Sequence, residues 1–110
     1  MVKPINFIDS SLDDLRAFPI DARREAGYQL DKVQHGEDPD NWKPMTSIGS
    51  GVREIRIKDA IGIYRVMYIA KFEEAVYVLH CFVKKTQTTR HQDIELAKNR
   101  LNKLIKERNQ

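Results

Sequence analysis

The apolar positions of this chain follow two periods. "PINFI", near the start, alternates and predicts a short strand with Ile5 and Phe7 on one face. Ser11 then opens a helix, with Asp14 near its positive end and Leu12, Leu15 and Phe18 as its apolar stripe. Pro19 suits the first turn of a second helix, from about Ile20 to Gln34, which buries Ala22, Ala26, Leu30 and Val33 and stops at Gly36. Together the two helices read as an αα-hairpin. "HGEDPDNWKPM" reads as a polar loop anchored by Trp42.

Beyond that loop the period shortens to two. "VREIRIKD", "IYRVMYIAK" and "AVYVLHCFVKK" read as strands, joined by the short turns "AIG" and "FEE", so an antiparallel meander is expected. The last of them hardly alternates until its end, as a strand covered on both faces does. Thr89 and Gln92 have capping-box spacing for a closing helix. Ile94, Ala97, Leu101 and Leu104 form its buried stripe, and Lys98, Arg100, Lys103, Lys106 and Arg108 lie elsewhere on it. The expected class is α+β: an N-terminal helical hairpin on a small twisted antiparallel sheet, with a C-terminal helix. No repeat or linker interrupts the chain, so residues 1–110 are read as one domain.

Composition narrows the function classes. With 41% hydrophobic and 32% charged residues the chain is globular, and it has no apolar run able to span a membrane. "MVKPINFIDSS" lacks the apolar core of a signal peptide, so a cytoplasmic protein is expected. The one cysteine, Cys81, sits in a strand-like run and reads as a packing residue. Charge is uneven: Asp9 to Asp40 holds nine acidic and four basic residues, whereas Lys84 to Arg108 holds eight basic and three acidic. That asymmetry suits either a polyanionic partner at the basic end or a solvated helix.

Candidate chemistry centres on cations in the strands. Arg65 lies inside an apolar strand, where a charge must be paired or aimed into a cleft. It reads either as a cleft arginine whose planar fork suits phosphate, or as a salt-bridge partner of Glu54 or of an acid on the helical pair. Arg56 shares a face with Glu54 and can equally form a surface ion pair with it, and Arg53 begins the same strand. Lys84 and Lys85 point to opposite faces of a continuing strand, so at most one shares a cleft with Arg65. His80, on the same strand, can act as general acid or base or be a satisfied core residue. His91 is a ligand contact or nothing. Tyr64, Tyr68 and Tyr77 are core residues unless one stacks a base at a groove edge. There is no zinc-type Cys/His spacing, no Gly-rich phosphate loop and no G-x-S-x-G elbow. The cations that remain can support RNA cleavage without a metal, in which the 2′-hydroxyl attacks the adjacent phosphate.

"WKPMTSIGSGVREIRIKDAIGIYRVMYIA", "AVYVLHCFVKKTQTT" and "DIELAKNRL", in this order from Trp42 to Leu101, resemble the phage-derived, HigB-like branch of the RelE/ParE toxin superfamily. The resemblance implies a RelE-like fold and a type II toxin neutralised by a helix-turn-helix antitoxin, through which it oligomerises. It also implies cleavage of mRNA in the ribosomal A site with no cofactor. By motif, Arg65 of "YRVMY" would stabilise the scissile phosphate, and Arg56 of "REIRI" would contact the same backbone. Lys84 and Lys85 of "FVKKT" would add charge or proton transfer, and His80 of "LHCF" is a pattern residue with a catalytic or structural role. The catalytic set is thus Arg65, Lys85, Arg56 and His80, with Arg53, Lys84, Thr86 and His91 on the RNA. One departure is the ending "KLIKERNQ", which lacks the tyrosine or histidine that some relatives use for proton transfer. The superfamily also includes ParE-like gyrase inhibitors, and a non-catalytic remnant is a third reading. The basic strands and the "KKT" pattern favour RNA cleavage.

Overall fold

The computed structural model describes residues 2–84 and 91–110. In chain order the elements are β1 (Ile5–Phe7), α1 (Ser11–Arg16), α2 (Ile20–Gln34), β2 (Trp42–Pro44), β3 (Val52–Lys58), β4 (Ile63–Ile69), β5 (Val76–Lys84) and α3 (His91–Arg108). The strands form one sheet in the order β1-β5-β4-β3-β2. The meander β3–β4–β5 is antiparallel, as its short turns require. Two features depart from the expected sheet. Trp42–Pro44 is an edge strand paired with β3 rather than loop, and its proline sits where an edge tolerates one. β1 runs parallel to β5, so the sheet is mixed. The chain leaves β1, crosses one face as α1 and α2, enters the sheet at the far edge and works back to β1.

Helices cover both faces. Tyr64, Val66 and Tyr68 of β4, with Ile55 and Ile57 of β3, pack beneath Leu15, Phe18, Ala22, Ala26, Leu30 and Val33. Met67 and Ile69 point the other way and join Leu79, Tyr77, Ala97, Leu101 and Leu104. This double covering explains the unbroken apolar run of β5, in which Val76 through Cys81 are all buried. The helical pair is looser than a hairpin. α1 lies over β5 and α2 over β3, each packing on the sheet more than on the other. α2 has the expected limits and buried stripe, and it ends at Gly36, whose φ of +85° lies in the left-handed region that glycine enters without strain.

Ser10, not Ser11, occupies the cap position of α1, and its hydroxyl donates to Asp14 at 2.9 Å. Ser11 is buried in the first turn and donates to the Val78 carbonyl at 3.2 Å. The α3 stripe is as expected, but Arg100 is not on a solvated face. It is 7% exposed and donates to the Leu79 carbonyl and to Ser10 Oγ, both at 2.9 Å. At the far end of α3 the Arg108 guanidinium holds Glu74 through two hydrogen bonds, of 2.5 and 3.1 Å, and lies 3.7 Å over the Phe72 ring. These two arginines are therefore structural. Thr89, half of the expected capping pair, lies outside the described residues. No helix among the described residues is long and apolar enough to cross a membrane.

Candidate functional site

Strand alternation decides which side chains meet. In β3, Glu54 and Arg56 point away from the α1–α2 side, because Ile55 and Ile57 occupy it. Register then places Arg65 directly opposite Arg56, Phe82 opposite Arg65, and Lys43 of β2 opposite Glu54. A bulge in β5 decides the rest. Tyr68 pairs with Val78 and Met67 with His80, leaving Leu79 without an opposite residue. Without that extra residue His80, Phe82 and Lys84 would follow Val76 and Val78 onto the α1–α2 side. With it, all three share the face of Arg65. The Leu79 carbonyl, removed from the ladder, is the one that Arg100 satisfies.

At the centre is a buried carboxylate among cations. Glu54 is 0% exposed, with Arg65 Nε 3.2 Å and Arg56 Nε 4.0 Å from its Oε1. Arg65 is 6% exposed and also donates from Nη1 to the Tyr64 carbonyl at 3.2 Å. Burial, followed by the Arg56 charge, pulls the Arg65 pKa below its ordinary value, and Glu54 opposes both. Lys84 is half-buried at the end of β5. Its pKa is lowered first by burial and then by Arg65, Arg56 and Lys43, with Glu54 again opposing. Lys84 thus feels three other cations and one carboxylate, which defines a positive face with a charged pair at its floor. The ion-pair reading of Arg65 holds, with Glu54 as its partner, and the side chain also lies within a cluster of cations.

The other candidates are distributed around this face or away from it. His80 is 6% exposed, donates from Nε2 to Asp93 Oδ1 at 2.8 Å and stacks on Phe82 with ring centroids 4.8 Å apart. Burial lowers its pKa against the pull of Asp93. Phe82, directly opposite Arg65, stands between that imidazole and the cations. Arg53 lies apart, on the α1–α2 face, over the Trp42 ring at 3.9 Å and paired with Asp38 at 2.8 Å. His91 is exposed at the start of α3, 3.6 Å from Glu95. Tyr64 and Tyr68 are core residues, and Tyr77 is buried with its hydroxyl donating to Glu74 at 2.9 Å. Lys85 and Thr86 lie outside the described residues. Cys81 is buried, and burial pushes its thiol up to about 12, far from a nucleophile's range.

Sequence reasoning missed Lys43, Phe82 and Asp93. Lys43 is hidden because three residues beside prolines carry no strand signal. Asp93 pairs with a residue 13 positions away on another element, a relation no local pattern reveals. Among the described residues no three His, Cys, Asp or Glu side chains converge to hold a metal ion.

The family model described as Phage derived protein Gp49-like (DUF891) matches residues 13–102. No curated protein matches the chain at a significant level. The matched stretch runs from α1 into α3 and takes in every strand of the basic face, so the chain belongs to the Gp49-like family of phage-derived proteins.

Proposed function

We propose that this protein is the toxin of a type II toxin–antitoxin pair and cleaves mRNA on the ribosome without a metal. The observation that carries the reading is the convergence of Lys43, Arg56, Arg65 and Lys84 on one sheet face, around the buried Glu54. The family is associated with RelE-like toxins, which supports the same reading.

In this mechanism the RNA 2′-hydroxyl loses its proton and its oxygen bonds to the adjacent phosphorus, while the bond to the 5′-oxygen breaks and that oxygen takes up a proton. A 2′,3′-cyclic phosphate is left, and on the way negative charge builds on the non-bridging oxygens. Fixed cations that meet this charge without reorganising stabilise the transition state. Glu54 fixes the Arg65 fork from below, Arg56 and Lys84 form the accessible rim, and Lys43 extends the positive field. The ribosome orients the mRNA, so the protein itself supplies few groups. A helix-turn-helix antitoxin is the proposed neutralising partner, and cytoplasm the proposed compartment.

Induction of the protein without its partner gene, followed by mapping of mRNA 5′ ends, tests this. New ends clustered at one position within codons, absent with a folded Arg65→Ala variant, are expected. Intact mRNA with DNA-damage signalling would instead indicate gyrase, and intact mRNA with normal growth a remnant.

A further inference from the structure

The mechanism leaves one aromatic ring and one buried pair unused, and they belong together. Phe82 is half-buried in the middle of the basic face, opposite Arg65 and two residues before Lys84. One side of its ring is covered by the His80 imidazole, at an interplanar angle of 20°. That imidazole is itself held by Asp93 at 2.8 Å, and the His80–Asp93 pair is buried beneath α3. Among the described residues no other ring and no cation is stacked on Phe82. The ring also packs against the core cluster that includes Met67 and Leu79, and alternation along β5 places Lys84 next to it on the same face.

We infer that Phe82 is a stacking platform for a single nucleobase next to the phosphate held by the cations, with His80 and Asp93 as positioning residues that hold the ring upright. This assignment rests on the proposed RNA-directed function and adds the group that seats the base. A flat ring between cations matches single-stranded nucleic acid, in which phosphate and base lie side by side and every base offers a π-face. It also gives the buried histidine a role that needs no contact with the reacting atoms. Tyr64, Tyr68 and Tyr77, read from sequence as core unless one stacks a base, are all buried.

Binding can be measured apart from cleavage. The probe is a short single-stranded RNA, 2′-O-methylated so that it cannot be cut, carrying one 2-aminopurine. With the full chain at low salt, the fluorescence of the probe should be quenched by stacking. Phe82→Leu should abolish the quench and weaken binding about tenfold, the scale of one lost base stack, while leaving the salt dependence unchanged. Phe82→Tyr, which keeps the ring, should restore both, separating loss of stacking from loss of fold. An abasic probe should bind wild type and Phe82→Leu equally. Equal quenching by Phe82→Leu, or no binding of the probe by wild type, overturns the platform. Quenching without mRNA cleavage in the induction experiment would overturn only the ribonuclease reading.

Discussion

Arg65 Nε stands 3.2 Å from Glu54 Oε1, and the two residues, 6% and 0% exposed, form a buried ion pair at the floor of the positive face. Arg65 and Arg56 are directly opposed across β3 and β4, an arrangement that is unfavourable for like charges unless something negative lies close by. Glu54 is that group. Glu54→Gln removes the charge but keeps the shape, so buried Arg65 loses its compensation. Stability should fall by about 3–5 kcal/mol. Urea unfolding with an unchanged midpoint would show that Arg56, Arg65 and Lys84 tolerate one another without it.

Arg65→Lys keeps the charge and gives up the planar fork that meets both Glu54 and the Tyr64 carbonyl. Single-turnover mRNA cleavage on ribosomes should slow by about 10²-fold, as when one fixed transition-state donor is lost. The melting temperature should fall less than in Arg65→Ala. If the lysine variant cleaves at the wild-type rate, the fork has no catalytic part and only its charge matters.

Acid should loosen the far end of α3. Hydrogen bonds from Arg108 hold the Glu74 carboxyl down from 4.5 to about 2. The unfolded chain therefore binds the proton more readily than the folded one. The stabilisation is fully present above pH 4.5 and is lost as the pH falls through about 2. Melting curves at pH 7, 4 and 2.5 should show a gap between wild type and Glu74→Gln that closes towards acid. A gap constant over that range would mean that the contact over Phe72, not the carboxylate, does the holding.

Arg100→Met keeps the packing of the side chain but withdraws the donor from the Leu79 carbonyl. A buried acceptor left without its partner costs about 1–3 kcal/mol. The bulge should then become the weak point of β5, with faster amide exchange around Leu79 and His80 than elsewhere in the strand. Because the bulge keeps His80, Phe82 and Lys84 on the basic face, mRNA cleavage should fall with it. Unchanged exchange at those amides would separate the arginine from the bulge.

Much of the architecture was legible because it depends on short-range rules. The limits of α2, the meander β3–β4–β5 and the stripe of α3 follow from apolar period and turn chemistry, which the chain carries locally. Of the two short edge strands, β1 was legible from the alternation of Ile5 and Phe7, but β2 was read as loop. The direction of β1 was not legible, because it is set by pairing with a strand some seventy positions later. For the site, the strand period correctly placed Glu54 beside Arg56 on one face. Arg53 shows the limit of listing neighbours by sequence: one position from Glu54, it belongs to the opposite side of the sheet and to Asp38.

What the sequence determined by itself was therefore the set of elements and the supply of cations, since periodicity and composition are properties of neighbouring residues. Which cations meet was decided only in the tertiary structure. Register set Arg65 against Arg56, the mixed sheet buried β5, and the bulge at Leu79 turned Lys84 towards Arg65. The physical reason is the period of two: a single inserted residue moves every later side chain to the other face, and only pairing with a distant strand reveals where the insertion lies.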